Sequence, residues 1–100
     1  MTFNWQILGH FYSNQDVADA LNSANIGIGG FVGLNTARTQ FTVWGNNRSI
    51  TSPGYVWKVL TETNSEGSVT TAANEDFAIA ATSTVNANGD WVLWGYVPST

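Results

Sequence analysis

Phe41-Thr42-Val43-Trp44-Gly45 and Trp91-Val92-Leu93-Trp94-Gly95 are one pattern written twice, 50 residues apart. Phe3-Asn4-Trp5-Gln6-Ile7-Leu8 likewise matches Tyr55-Val56-Trp57-Lys58-Val59-Leu60 at an offset of 52. Ser13 and Ser65, Val17 and Val69, Ala20 and Ala72, and Asn22 and Asn74 keep that offset, while Ile28 and Ile79, Leu34 and Val85, and Asn35 and Asn86 stand 51 apart. An offset that drifts by single residues is what two copies of one supersecondary unit show when residues are lost in loops. Four of the five tryptophans fall at paired positions. Short aromatic and aliphatic β-patterns also match one another easily, so chance is the competing explanation; the sequence favours duplication.

Each half carries the same series of signals. Residues 3 to 12 alternate, with Phe3, Trp5, Ile7, Gly9 and Phe11 on one face, as a half-buried strand does. Ser13 reads as an N-cap, with Asp16 well placed against the helix dipole. Val17, Ala20, Leu21 and Ala24 then form one apolar stripe of a short helix that Asn25 ends. Ile26 to Leu34 resumes a strand period with four glycines, where close backbone packing or a bulge is expected. Thr39 to Gly45 is the third strand, and Gly45-Asn46-Asn47-Arg48 and Ser52-Pro53-Gly54 are turns at the boundary between the halves. The second half predicts a strand over 55–63, a short helix over 68–75, a strand over 77–85, an Asn86-Ala87-Asn88-Gly89 turn and a last strand over 90–97. For residues 68–75, Thr70 and Thr71 favour a strand, but Val69, Ala72 and Ala73 have helical spacing. The expected fold is a single β-rich α+β domain over 1–100. Two β-α-β-β pseudo-repeats, 1–50 and 51–100, would form a mainly antiparallel six-stranded sheet, related by an approximate two-fold, with both helices on one side.

Composition narrows the function classes. Charged residues make up 10% of the chain, against about 25% in an average domain, so the surface is largely neutral and polar. That is more usual on proteins that meet the outside world, such as virion components, adhesins and sugar binders. The net charge is −4, with only Arg38, Arg48 and Lys58 as cations; no basic stripe exists for a nucleic-acid backbone. No cysteine is present, so disulfides and thiolate metal sites are excluded and the compartment stays open. Met1 to Leu8 lacks the marks of a conventional secretory leader. No apolar run approaches the roughly 20 residues that span a bilayer.

No reactive constellation emerges. His10 is the sole histidine, without a partner at an obvious spacing, and no nucleophile motif is present. The adjacent acids Glu75 and Asp76 read as solvated helix-end or loop residues. Asn86, Asn88 and Asp90 faintly echo an oxygen-rich calcium loop but lack its closing glutamate, and an Asn-Gly hairpin turn explains them. The glycines of Ile26 to Leu34 match neither phosphate-binding pattern. The chain therefore reads as non-enzymatic, with no cofactor and no metal.

The tryptophans hold the remaining information. Trp44 with Asn46, Asn47 and Arg48, and Trp94 with Tyr96, are the candidate binding residues. Trp and Arg are typical interface anchors, and an exposed indole beside amides and a guanidinium is also what sugar recognition uses. Against this stands a plain core role, with Trp5, Trp57 and Trp91 buried. Taken together, the size, small polar residues and doubled β-rich unit look like small accessory proteins of tailed-phage particles, such as head-decoration or tail-associated subunits. That resemblance implies a structural module that oligomerises or docks on a protein partner. The alternatives are a small lectin with two Trp-centred sites, giving avidity, and an inhibitor that binds one protein.

Overall fold

The computed structural model describes residues 3–99. The element order is β1 (Trp5–Phe11), α1 (Asn14–Ser23), β2 (Ile28–Leu34), β3 (Phe41–Ile50), β4 (Tyr55–Thr63), α2 (Glu66–Glu75), β5 (Ala80–Val85) and β6 (Trp91–Pro98). The chain is thus a strand-rich α+β domain with two helices, and its strands form two three-stranded antiparallel sheets, β1-β3-β2 and β4-β6-β5.

Local chemistry sets both helices in the same way. Ser13 accepts from the Asp16 N–H at 3.1 Å, and Ser65 from the Ser68 N–H at 3.2 Å, each satisfying a first-turn donor that the helix itself cannot. At the other ends Asn25 and Phe77 take left-handed backbone conformations, with φ of 58° and 57°. The amides that follow fold back: Ile26 N–H donates to Leu21 O and Ala78 N–H to Ala73 O, closing each helix by a Schellman-type turn. Asparagine suits that conformation, whereas an exposed phenylalanine carries its steric cost.

Each edge strand that opens a half carries a bulge in its pairing with the central strand. The β1–β3 register shifts between Ile7 and Gly9, and the β4–β6 register between Val59 and Thr61. Leu8 and Leu60 are the extra residues. Each reaches the floor of a glycine in the central strand: a Cβ on Gly45 would lie 3.0 Å from Leu8 Cδ1, and one on Gly95 would collide with Leu60. The bulge switches the strand from one face to the other. Trp5 and Ile7 therefore share a face with Trp44, while Phe11 lies opposite with Phe41 and Val43. The unbroken alternation expected for residues 3 to 12 is corrected accordingly.

The layering also differs from a single sheet with both helices on one side. Helix α1 packs on β1 and β3 and, with its other flank, on β4; α2 packs on β4 and β6. Alternate residues of β6 show which faces are used. Trp94 donates its indole N–H to Asn14 O of α1 at 2.9 Å, while Gly95, one residue on, faces Leu60 and Ala78 beside α2. The order of layers is first sheet, α1, second sheet, α2. The halves are therefore stacked in the same sense instead of facing each other across a two-fold. A continuous six-stranded sheet does not form, because α1 wedges the sheets apart; they approach where β2 meets β5, and Val32 N–H there donates to the Thr82 hydroxyl at 3.2 Å. Val17, Ala18 and Leu21 of α1 are fully buried, and with Val32, Phe41, Val43, Trp57, Val92 and Trp94 they make the core. Helix α2 has no buried residue.

Candidate functional site

Trp44 stands on the central strand of the first sheet, at one end of an aromatic row on its outer face whose middle ring is Phe31. The face is built by register: Ile7 and Phe31 flank Trp44 across the two ladders. Phe31 stacks on Trp44 with ring centroids 4.8 Å apart, and Trp5 tilts against Phe31 at 5.4 Å. Gly33 leaves room for the indole, since a Cβ there would lie 3.4 Å from Trp44 Cζ3. Trp5 is 48% exposed, Ile7 57% and Phe31 43%. Trp5, Ile7 and Phe31 thus form an exposed apolar patch beside the half-buried Trp44.

The polar candidates beside Trp44 are placed differently from their reading as a turn. Strand β3 runs on to Ile50, so Asn46, Asn47 and Arg48 belong to a strand. The cause is tertiary pairing: Asn47 N–H donates to Asn4 O at 3.0 Å, and Asn47 Oδ1 accepts from the Asn4 N–H at 2.8 Å. Asn46 is buried and accepts from the Arg48 N–H through its side chain. The Arg48 guanidinium sits 5.9 Å from the centroid of the Phe3 ring.

Trp94 and Tyr96 occupy the inside of the molecule. Trp94 is 0% exposed and Tyr96 3%. The Trp94 ring meets Phe41 edge-on at 5.3 Å, and the Tyr96 hydroxyl accepts from the Ser52 N–H at 2.9 Å. They line the joint between the halves and are closed to an external ligand. Trp57, expected in the core, is there at 2% exposure; Trp5, expected beside it, is at the surface, and Trp91 is half-buried.

The joint itself has a polar lock that sequence reading missed. Asn22 donates from Nδ2 to Trp57 O at 3.0 Å and accepts at Oδ1 from Trp57 N–H at 2.8 Å, standing in for a strand partner along the outer edge of β4. Trp57 Nε1 donates to Ile26 O at 2.8 Å, and Asn14 Nδ2 donates to Glu62 Oε1 at 2.6 Å. The sequence held no signal for this lock beyond the match of Asn22 with Asn74, and the Asn74 side chain makes no such pair among the described residues.

Elsewhere His10 Nδ1 lies 3.1 Å from the Thr42 hydroxyl, its one side-chain partner among the described residues. A cleft between the loops is lined by Tyr12, Arg38, Thr39, Glu62 and Asn88, which put one guanidinium and one carboxylate in its wall. Among the described residues no three His, Asp or Glu side chains gather. No helix there is long and apolar enough to cross a membrane. No protein-family model, no curated protein and no solved structure matches the chain.

Proposed function

We propose that the chain is a non-enzymatic structural module, built from two copies of one β-α-β-β unit, that works by docking through its aromatic face. The observation that carries this reading is the row of Trp5, Phe31 and Trp44 on the outer face of the first sheet, with Trp5 and Phe31 exposed and Trp44 half-buried behind them. Rings held in place by one another lose little freedom on binding, and such anchors dominate protein interfaces. The duplication is supported by the matching registers, caps and bulges of the two halves. A neutral polar surface with few charges suits a subunit of a larger assembly, and an accessory virion protein of a tailed phage is the best-fitting role.

A second reading, a carbohydrate-binding protein, is favoured by the same rings lying on the sheet whose central strand carries Trp44, Asn47 and Arg48. It retains one Trp-centred site, since Trp94 and Tyr96 are enclosed. Two measurements on one sample separate the readings: mass in solution by sedimentation, and tryptophan fluorescence against a panel of mono- and oligosaccharides. The assembly reading expects a mass above that of one chain, or co-sedimentation with a particle, and flat fluorescence. A strict monomer whose fluorescence saturates with a sugar would contradict it.

A further inference from the structure

The joint between the halves uses one face of each, and the same two faces recur, uncovered, at the ends of the stack. Inside, the Trp57–Trp94 face of the second sheet is docked on α1. At one end, the face of the first sheet carries Trp5 at the place of Trp57, Ile7 at that of Val59 and Trp44 at that of Trp94, and all of these meet the central strand in the same register. At the other end, the free flank of α2 carries Glu66, Thr70 and Asn74 where α1 carries Asn14, Ala18 and Asn22. Those three residues of α2 are exposed, and among the described residues the Asn74 side chain has no hydrogen-bond partner.

The seat of the inner tryptophan is repeated as well. Trp94 reaches Asn14 O, meets Phe41 edge-on and shares its cluster with Val17, Ala18 and Val32. Shifting those five positions by the offsets of 52, 51 and 50 gives Glu66, Val69, Thr70, Ser83 and Trp91. These five residues line an open cavity of about 230 Å³.

We infer that copies of this chain stack head to tail, with Trp44 of one copy seated in the Glu66–Thr70–Trp91 cavity of the next. The Trp5 edge of the same copy is then held by Asn74. Chemistry at the edge fits. Asn4 turns its N–H and C=O toward β3 through Asn47, so by the alternation of an antiparallel ladder Trp5 presents its own to the free edge. This is the arrangement that Asn22 satisfies at Trp57. Glu66 comes opposite His10 as Asn14 comes opposite Glu62, so no like charges meet. An interface between two different faces is heterologous and propagates, either to a closed ring or to an open filament.

This inference rests on the assembly reading and adds the partner, a second copy. It is tested with two variants at exposed positions, Trp5→Lys on the sheet and Thr70→Arg in the cavity, with Ile7→Lys and Asn74→Lys as second choices if either melts below the dilute wild type. Sedimentation of the wild type should show species larger than a dimer, and each variant alone should lose self-association at least tenfold. An equimolar mixture should recover a complex of two chains and stop there, because each variant keeps one good face. Variants that assemble as the wild type does would overturn head-to-tail stacking while leaving the assembly role intact. So would a wild type that remains monomeric at its highest soluble concentration but co-sediments with a particle. A monomer that neither stacks nor co-sediments would overturn both.

Discussion

Trp57 of β4 and Trp5 of β1 each stand two residues before the partner of a central-strand tryptophan, Val59 opposite Trp94 and Ile7 opposite Trp44, yet one is sealed and the other open. Trp57 has its backbone locked by Asn22 and its indole bonded to Ile26. Trp5 lies on an unpaired edge with its ring leaning on Phe31. Local sequence does not separate them, for both stand in alternating aromatic strands with a bulge three residues on. What separates them is that a helix precedes Trp57 in the stack and none covers Trp5. Burial here is a property of position in the pile of layers, and the first sheet keeps on its surface the side chains that the second sheet uses to dock.

The contrast can be broken most severely at the tryptophans. Trp57→Ala should cost about 3–5 kcal/mol, the usual loss for emptying a buried aromatic site. Trp5→Ala in dilute solution should stay within about 0.5 kcal/mol, as exposed substitutions do. Denaturant titration of both variants measures the difference, and equal costs would place the two rings in equivalent surroundings.

The asparagine pair gives a smaller gap of the same sign. Asn22→Ala removes two hydrogen bonds to the β4 backbone and leaves its N–H and C=O without that partner, a loss of about 1–3 kcal/mol. Asn74→Ala should leave the dilute monomer's unfolding midpoint unchanged. The helix ends sharpen the comparison in the other direction. Phe77→Asn gives the second left-handed turn the residue that Asn25 supplies to the first, and should gain about 1 kcal/mol. In a thermal melt that is an upward shift of about 4–8 °C for a domain of this size. No gain would mean that the Phe77 ring offsets its backbone cost by a contact made on folding.

Much of the architecture was readable because it is written in short-range chemistry. Ser13 announces the start of α1, the β-rich run Tyr55–Thr63 marks β4, and the glycines of Ile26 to Leu34 mark the bulge and the close approach to Leu21, whereas α2 begins at Glu66, ahead of the expected 68, because Ser65 caps it. The faces were not readable, since a single bulged leucine reverses a strand and leaves no signature of its own. Residues 46–48 look like a turn because Gly-Asn-Asn is turn chemistry, and only the pairing of Asn47 with Asn4, 43 residues away, makes them strand. The layering had one faint signal. Ala18 and Leu21 in α1 stand where α2 has Thr70 and Ala73, so α1 has the broader apolar surface of a helix covered on two sides. For the candidate site, Trp44 is legible as a strand residue of interest and stands half-buried on the outer face, but its neighbours Trp5 and Phe31 come from strands that only the register brings together.

Amide hydrogen exchange at Trp5 and Trp57, followed at residue resolution over a concentration series, separates the sealed position from the open one. In dilute solution the Trp57 amide should be protected and the Trp5 amide should exchange freely; on concentration Trp5 should become protected in step with the growth in mass. A Trp5 amide that keeps exchanging freely while the protein self-associates, or a Trp57 amide as fast as Trp5, would contradict this arrangement.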